Sequence, residues 1–250
     1  MEEINEKISE IADLLLGSSH AVVLTGAGVS TESGIPDFRS PGSGLWTVLN
    51  PELFTIQGFK ANPGEFYRAG LPFYKMLQTA EPNAAHTVLA ELEKRGLVKA
   101  IITQNVDGLH QKGGARRVFE IHGTLSSVSC MHCGESADLE QVIADVEEGL
   151  LPPLCIDCGE PLKPDVVLFG EPLSPDYKQA LEEAQKADLI MVVGSSMQVS
   201  PANQLPSYSD NLIIINRTPT FHDSKARVVI HDSTARVMSL LLEELDGRRR

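Results

Sequence analysis

Residues 25–40 read TGAGVSTESGIPDFRS and come directly after the short apolar run AVVL at 21–24. A strand that opens into Gly26-Ala27-Gly28 begins like the turn of a dinucleotide-binding fold, where backbone amides approach a pyrophosphate. The pattern then breaks, because the third glycine of G-x-G-x-x-G would fall at Thr31. A Gly-x-Gly after a strand also serves ordinary turns. The next residues are not turn chemistry. Gly34-Ile35-Pro36-Asp37-Phe38-Arg39 places an acid, an aromatic and a base at consecutive loop positions. A turn needs no such set; it reads as a loop that folds over a ligand.

Working outward, strand and helix patterns alternate. Segments 21–25, 98–103, 118–121, 189–193 and 212–215 are largely apolar, as parallel strands buried on both faces require. Segment 166–169 also reads as extended. Ile4, Ile8, Ile11 and Leu15 recur at helical spacing, which predicts an amphipathic first helix. Asn50-Pro51 and Asn62-Pro63 are caps with proline in the first turn. A helix over 84–95 stops at Gly96, another starts at Ser174-Pro175 and runs to about 187, and a last one covers about 234–245. The alternation predicts an α/β fold, a Rossmann-like doubly wound parallel sheet. Two stretches do not fit: 35–80, rich in Gly, Pro and aromatics with short helices only, and 125–164, which holds every cysteine. The expected division is a discontinuous large domain of 1–34, 81–124 and 165–250, and a small lobe of 35–80 and 125–164. A groove between them is the expected ligand site.

Length and charge bound the rest. The chain has 250 residues, 42% of them hydrophobic, and a formal net charge of -13. That suits one large α/β domain with a small insert. No run approaches the roughly 20 apolar residues that span a bilayer. The acidic start MEEINEK lacks the basic opening of a signal peptide. The expectation is a soluble cytoplasmic protein with no membrane partner. An acidic surface repels phosphate, and Arg248-Arg249-Arg250 is too short for a binding arm, so direct nucleic-acid binding is not expected. Such a surface could steer a lysine-rich substrate, although acidity on its own commonly means no more than solubility.

Cys130-Met-His-Cys133 and Cys155-Ile-Asp-Cys158 are two Cys-x-x-Cys knuckles separated by 21 residues, each with a glycine directly after it. This spacing fits one tetrahedral zinc site. The competing readings are disulfides, disfavoured inside a cell, and unrelated thiols. Four sulfur ligands would close the site, making the metal structural and leaving His132 a bystander.

Polar groups gather at the predicted strand ends: Gln104, Asn105 and Asp107 after 98–103, His122 after 118–121, Gly194-Ser195-Ser196 after 189–193, and Asn216 after 212–215. In a doubly wound sheet these ends face the ligand. The motifs GAGVS (26–30), GIPDFRS (34–40), TQNVDGLH (103–110), HG (122–123), VVLFGE (166–171), GSS (194–196) and IN (215–216), with the four cysteines, occur in one order over nearly the whole chain. The chain resembles the sirtuins, NAD-dependent protein deacylases, of compact prokaryotic type.

The resemblance implies NAD as co-substrate, one structural zinc ion, and acyl-lysine proteins or peptides as partners. It implies that Gly26, Ala27 and Gly28 hold the pyrophosphate, with Asp37 in the same loop and Arg39 near the phosphates. Phe38 would shield the reactive ribose carbon. Gly194, Ser195, Ser196 and Asn216 would hold the adenosine side. Gln104 and Asn105 would contact the nicotinamide ribose, and Asp107 the carboxamide, with Val106 beside them. Val166–Glu171 would pair with substrate backbone by strand addition. Val106, Val167 and Phe169 would wall the lysine tunnel, and Gly170 and Glu171 would contact substrate as well. The family's chemistry has the acyl oxygen attack the ribose carbon as nicotinamide leaves. His122 then serves as general base on a ribose hydroxyl, assisted by Asn105. The acyl group is transferred to ADP-ribose and lysine is freed. An isolated histidine is most often structural; here the His-Gly motif assigns it a role.

The chain departs from the family at Arg39-Ser-Pro-Gly-Ser-Gly-Leu-Trp46, where an arginine-glycine pair is usual, and at His231–Ala235, whose contacts are not assigned. Sirtuins that remove acidic acyl groups carry Tyr-x-x-Arg. Here Tyr67 leads to Gly70 three positions on, and Tyr74 to Leu77. A buried succinyl carboxylate would be unpaired, at a cost of about several kcal/mol. Acetyl or longer neutral acyl groups are therefore expected. Two other functions fit parts of the pattern: a protein mono-ADP-ribosyltransferase on the same NAD site, and a non-enzymatic zinc interaction module. Asn105, Asp107 and His122 weigh against the second. No signature supports a redox dehydrogenase.

Overall fold

The computed structural model describes residues 2–40 and 42–248. Pro41 of the altered loop and the terminal Arg249 and Arg250 lie outside it. The helices are α1 (Glu2–Gly17), α2 (Ile56–Ala61), α3 (Pro63–Thr79), α4 (Ala84–Lys94), α5 (Leu109–Lys112), α6 (Leu139–Glu147), α7 (Asp176–Lys186) and α8 (Thr234–Gly247). The strands are β1 (Ala21–Thr25), β2 (Ala100–Thr103), β3 (Val118–Glu120), β4 (Gly123–Cys130), β5 (Ser136–Ala137), β6 (Leu162–Val166), β7 (Leu189–Val193), β8 (Leu212–Ile215) and β9 (Val228–Ile230).

Six strands form one parallel sheet in the order β3-β2-β1-β7-β8-β9. Every residue of β1, β2, β7 and β8 is buried, which is why these strands read as unbroken apolar runs. Val23, Ile101, Met191 and Ile213 pack against Ile11, Leu89 and Leu241 of α1, α4 and α8. Val22, Leu24, Ile190 and Ile214 face the other way, toward Ala180 and Ala184 of α7 and Leu205. The alternation of Val22, Val23 and Leu24 between the two layers is the strand's own period of two. The chain leaves β1 in one direction to β2 and β3, and returns on the other side at β7. The order reverses between β1 and β7, so the crevice beyond their carboxyl ends is where such a sheet binds ligands.

The remaining elements differ from a plain α/β unit. β5, β4 and β6 form a three-stranded antiparallel sheet. With α2, α3 and α6 it encloses a separate apolar cluster around Phe59, Phe66, Tyr67, Val128, Val142 and Leu162. The expectation of short helices only in 35–80 fails at α3, which has 17 residues despite Gly64, Gly70 and Pro72. Asn62 caps it by accepting from the Glu65 amide, and burial of Phe66 and Tyr67 offsets the poor helix propensity of its glycines and proline. Asn50-Pro51 opens only a short 3-10 turn over Pro51–Phe54. The segment 166–169 is not a strand of its own. β6 stops at Val166, and Phe169 instead pairs with Thr55 in an isolated parallel bridge. No helix among the described residues is long and apolar enough to cross a membrane.

Candidate active site

β1 and β7 run in register, so Thr25 lies beside Val193 and the two glycine turns leave the sheet together. The Gly28 amide donates to the Gly194 carbonyl at 2.8 Å, and that of Gly26 to Val193 at 3.4 Å. A Cβ on Gly28 would lie 2.7 Å from the Gly194 oxygen, and one on Gly194, at φ +65°, only 2.2 Å from the Val29 nitrogen. Both positions are therefore glycine for close approach of backbones. The amides of Gly26 and Gly28 already have protein acceptors, so sequence reasoning, which aimed all three amides of the turn at a ligand, overlooked this crossing. Ala27–Ser33 winds into a 3-10 turn that ends at Gly34.

The loop beyond it is held by its own polar groups. The Asp37 carboxylate accepts from the amides of Arg39 (3.0 Å) and Ser40 (2.7 Å), so it braces the loop rather than pointing away from it. The Leu45 and Trp46 amides donate to the Asp37 and Phe38 carbonyls. Trp46 packs between Phe38 and Phe169, with ring centroids 5.1 and 6.2 Å away.

Beyond β2 the hydrogen bonds fix directions. The Asn83 amide donates to His86 Nδ1 (3.2 Å), so His86 carries its proton on Nε2 and donates it to Ser30 Oγ (3.3 Å). Asn105 Nδ2 donates to the same oxygen (3.1 Å), and Ser30 passes its own proton to Asp107 Oδ2 (2.7 Å). Asp107 Oδ1 accepts from the Leu109 amide (2.9 Å). Asn105 is thereby held by its nitrogen, which leaves its Oδ1 as the acceptor for a ligand. The His122 Nδ1 lies 3.0 Å from the Gln104 carbonyl oxygen, which can only accept. The proton therefore sits on Nδ1 and Nε2 keeps its lone pair. Burial lowers the His122 pKa, partly opposed by that backbone bond, so the ring is neutral at neutral pH.

One cavity of about 310 Å³ joins these groups. It brings together Ala27, Phe38, Arg39, Gln104, Asn105, Val106, Asp107, His122, Val167, Phe169, Gly170 and Glu171. Glu171 is anchored there, accepting from the Leu168 amide (2.8 Å) and pairing with the buried Lys163 (3.2 Å). Gly26, Gly28, Gly194, Ser195, Ser196 and Asn216 do not line this cavity; they lie along the carboxyl ends of β1, β7 and β8. Ser195 Oγ accepts from Gln104 Nε2 (2.8 Å), and Asn216 Nδ2 donates to the Thr218 carbonyl (2.7 Å). Sequence reasoning missed Ser30 and His86. Ser30 stands in the GAGVS motif, but a serine in a glycine turn carries no sign of its partners. His86 looks like an ordinary residue of a helix's first turn.

The four cysteine sulfurs lie within 4.8 Å of one another. Cys130 and Cys158 are 3.4 Å apart, and Cys133 and Cys155 are 3.6 Å apart, far longer than the roughly 2.05 Å of a disulfide. The knuckles repeat one geometry: the Gly134 amide donates to the Cys130 carbonyl and the Gly159 amide to that of Cys155. Both glycines have positive φ, 79° and 74°. Backbone N–H groups of Cys133 and His132 lower the pKa of the Cys130 thiol, which favours thiolate. Such a set can hold a metal ion.

Comparison with known proteins agrees with this geometry. The Sir2 family model matches residues 26–201. An NAD-dependent protein deacetylase 2 of Caldanaerobacter subterraneus subsp. tengcongensis is 48% identical over 225 residues, 90% of each chain. A solved complex of Sir2 with p53 peptide and NAD is 38% identical, with a TM-score of 0.87 over 96% of this chain and 98% of that one. Another, with deacetylated p53 peptide and 3'-O-acetyl ADP-ribose, is 39% identical, with a TM-score of 0.91 over 95% and 98%. The doubly wound sheet, the cavity beyond its strand ends and these matches agree, and the chain belongs to the Sir2 family.

Proposed function

We propose that this protein removes acetyl or longer neutral acyl groups from protein lysines in an NAD-dependent reaction that yields nicotinamide, O-acyl-ADP-ribose and free lysine. The observation that carries this reading is His122: its Nδ1–H is tied to Gln104, and its free Nε2 stands in the same cavity as Asn105 and Asp107. NAD, when bound, supplies an electrophilic ribose carbon with nicotinamide as leaving group. The glycine turns at Gly28 and Gly194 cross backbone to backbone at the carboxyl ends of β1 and β7, beside the point where the strand order reverses, which supports a nucleotide there. Asn105 offers its amide oxygen to a ribose hydroxyl, and Asp107 offers carboxylate lone pairs to an amide N–H. His122 accepts a hydroxyl proton at Nε2, a step typically worth about 10²–10⁴-fold in rate. Val106, Val167 and Phe169 exclude water around the lysine stem.

Arg39 is the only cation among the described residues that line the cavity, and it belongs to the loop assigned to the cofactor. Tyr67 donates its hydroxyl to the Leu162 carbonyl (2.9 Å), and Gly70 lines the wall where the acidic-acyl pattern has arginine. Both features support neutral acyl groups. We assign the four cysteines to one structural zinc ion: four sulfur donors suit zinc and leave no open position for chemistry. Thiolates kept for a metal also favour a reducing compartment, hence the cytoplasm. The β5-β4-β6 sheet with α2, α3 and α6 is proposed as the small lobe over a large domain built on the parallel sheet.

The test is mass spectrometry of an acetyl-lysine peptide incubated with and without NAD while nicotinamide is quantified. The reading requires deacetylation that depends on NAD and matches nicotinamide release one for one. NAD consumption with ADP-ribose added to protein would replace it with a transferase, and no turnover of any acyl chain would point to a zinc interaction module.

A further inference from the structure

β6 is an edge strand of the β5-β4-β6 sheet, so one of its sides has no neighbouring strand. The Leu162 amide donates to the Pro153 carbonyl (3.0 Å) rather than to β4. By the alternation of an antiparallel pair, the backbone groups of Leu162, Pro164 and Val166 all point to the open side. An open edge is a template for another chain. This one is closed group by group. The Leu162 carbonyl accepts from the Tyr67 hydroxyl (2.9 Å). Pro164 has no N–H to offer. The Pro164 and Val166 carbonyls both accept from the Lys163 ammonium, at 3.0 and 2.7 Å. Among the described residues only the Val166 amide is left over on that side.

Lys163 is buried, and its ammonium has a third acceptor in Glu171 Oε2 at 3.2 Å. Three N–H donors thus meet three acceptors, which is all that an ammonium can serve. Because one acceptor is the Val166 carbonyl and another the Glu171 carboxylate, a single cation ties the first residue of 166–171 to the last. Within the segment, the Val167 amide donates to the His122 carbonyl (2.8 Å), and the Leu168 amide to Glu171 Oε2 (2.8 Å). The Phe169 amide and carbonyl are paired with Phe54 and Ile56 (3.0 and 2.9 Å). The Val167 carbonyl and both backbone groups of Gly170 have no partner among the described residues. We propose that Lys163 is a positioning residue for the substrate peptide. It closes the edge of β6 and brackets 166–171, so that an added strand pairs at Val167 and Gly170 and not along β6. The proposal rests on the deacylase reading, in which an acyl-lysine peptide adds as a strand here, but the pairing can be tested apart from turnover.

Two variants separate positioning from general support of the fold. Lys163→Met removes the ammonium at similar length, and Lys163→Arg keeps a cation. With an acetyl-lysine peptide as substrate, Lys163→Met is expected to raise the peptide KM about tenfold or more. Its kcat at saturating peptide and its dissociation constant for NAD should stay within about threefold of wild type, and Lys163→Arg should recover most of the loss in KM. A fall in kcat or in NAD affinity as large as the rise in KM, an unchanged KM, or an arginine variant no better than methionine would overturn the proposal. Residue-level amide exchange in the wild type, read by NMR with and without the peptide, supplies a readout apart from catalysis and serves should Lys163→Met fail to fold. Peptide binding should protect the Gly170 amide and leave the Val166 amide exchanging as before. Protection of Val166, or none at Gly170, would overturn the proposal. If the wild type turns over no acyl-lysine peptide, the deacylase reading fails. Amide exchange and calorimetric affinity for the same peptide then decide the role of Lys163, and a peptide that does not bind overturns it as well.

Discussion

The parallel sheet and the cysteine lobe are held together by different physics. The sheet buries a continuous apolar layer on each face, from Ile11 and Leu89 on one side to Ala180 and Ile214 on the other. The lobe around Val128, Val142 and Leu162 has a much smaller cluster, and its knuckle tips expose Met131, Leu154 and Ile156. A small unit with so little core commonly relies on a metal or disulfides. The site lies where the two meet: the sheet contributes rigid strand ends and the lobe contributes the apolar wall.

The largest expected effect breaks this comparison directly. With the proposed zinc on the four cysteines, removing it by chelation, or replacing Cys133 with serine, should unfold the lobe while leaving the sheet folded, since a structural zinc ion contributes on the order of 10 kcal/mol. Hydrogen exchange should show loss of protection in β4, β6 and α6 but not in β1, β7 or β8. Unchanged protection and activity after chelation would mean that the lobe stands on its core alone.

A smaller effect falls on the sheet. His86 and His110 are buried and neutral, with pKa values lowered to about 4 and about 3, chiefly by burial. In the unfolded chain each titrates near 6.5. As pH falls below that value, the unfolded state takes up protons that the fold refuses, so stability present at neutral pH is lost progressively from about 6.5 down to about 4 for His86 and about 3 for His110. His86 alone accounts for roughly 3 kcal/mol. Denaturant midpoints at pH 7 and pH 5 should differ in that direction, and a midpoint that is flat or rises on acidification contradicts the account.

Next comes the lobe's wall. A succinyl-lysine peptide should turn over about 100-fold more slowly than the acetyl form, because its carboxylate would meet Tyr67 and Gly70 with no cation, at a cost of about 3 kcal/mol. Faster succinyl turnover would sink that assignment. The smallest effect is Gly28→Ala. Its methyl would press on the Gly194 carbonyl and should cost the sheet about 2 kcal/mol, read as a lower thermal midpoint. An alanine tolerated there without loss would mean that the two turns are not in firm contact.

The same contrast explains what the sequence made legible. Strands buried on both faces announce themselves as apolar runs, so β1, β2, β7 and β8 could be read directly. β9 is three residues long, and β4, GTLSSVSC, has only a weak apolar signal; neither shows in the pattern. α3 was hidden by Gly64, Gly70 and Pro72, and only tertiary packing of Phe66 and Tyr67 restores it. Within the site, His122, Asn105 and Asp107 stood out because their motifs are local. Ser30, His86 and Thr103 act through partners remote in sequence, as in Ser30 to Asp107 and Thr25 to Thr103, and no local pattern encodes such bonds.

The central claim is that His122 performs the proton transfer and does not hold the nucleotide. The most direct measurement compares wild type and His122→Ala, with NAD affinity from calorimetry and release of deacetylated peptide from mass spectrometry. The account predicts a dissociation constant within about threefold of wild type and a release rate lower by about 10²-fold or more. A loss of NAD affinity that matches the loss of rate, or a variant that deacetylates normally, would contradict it.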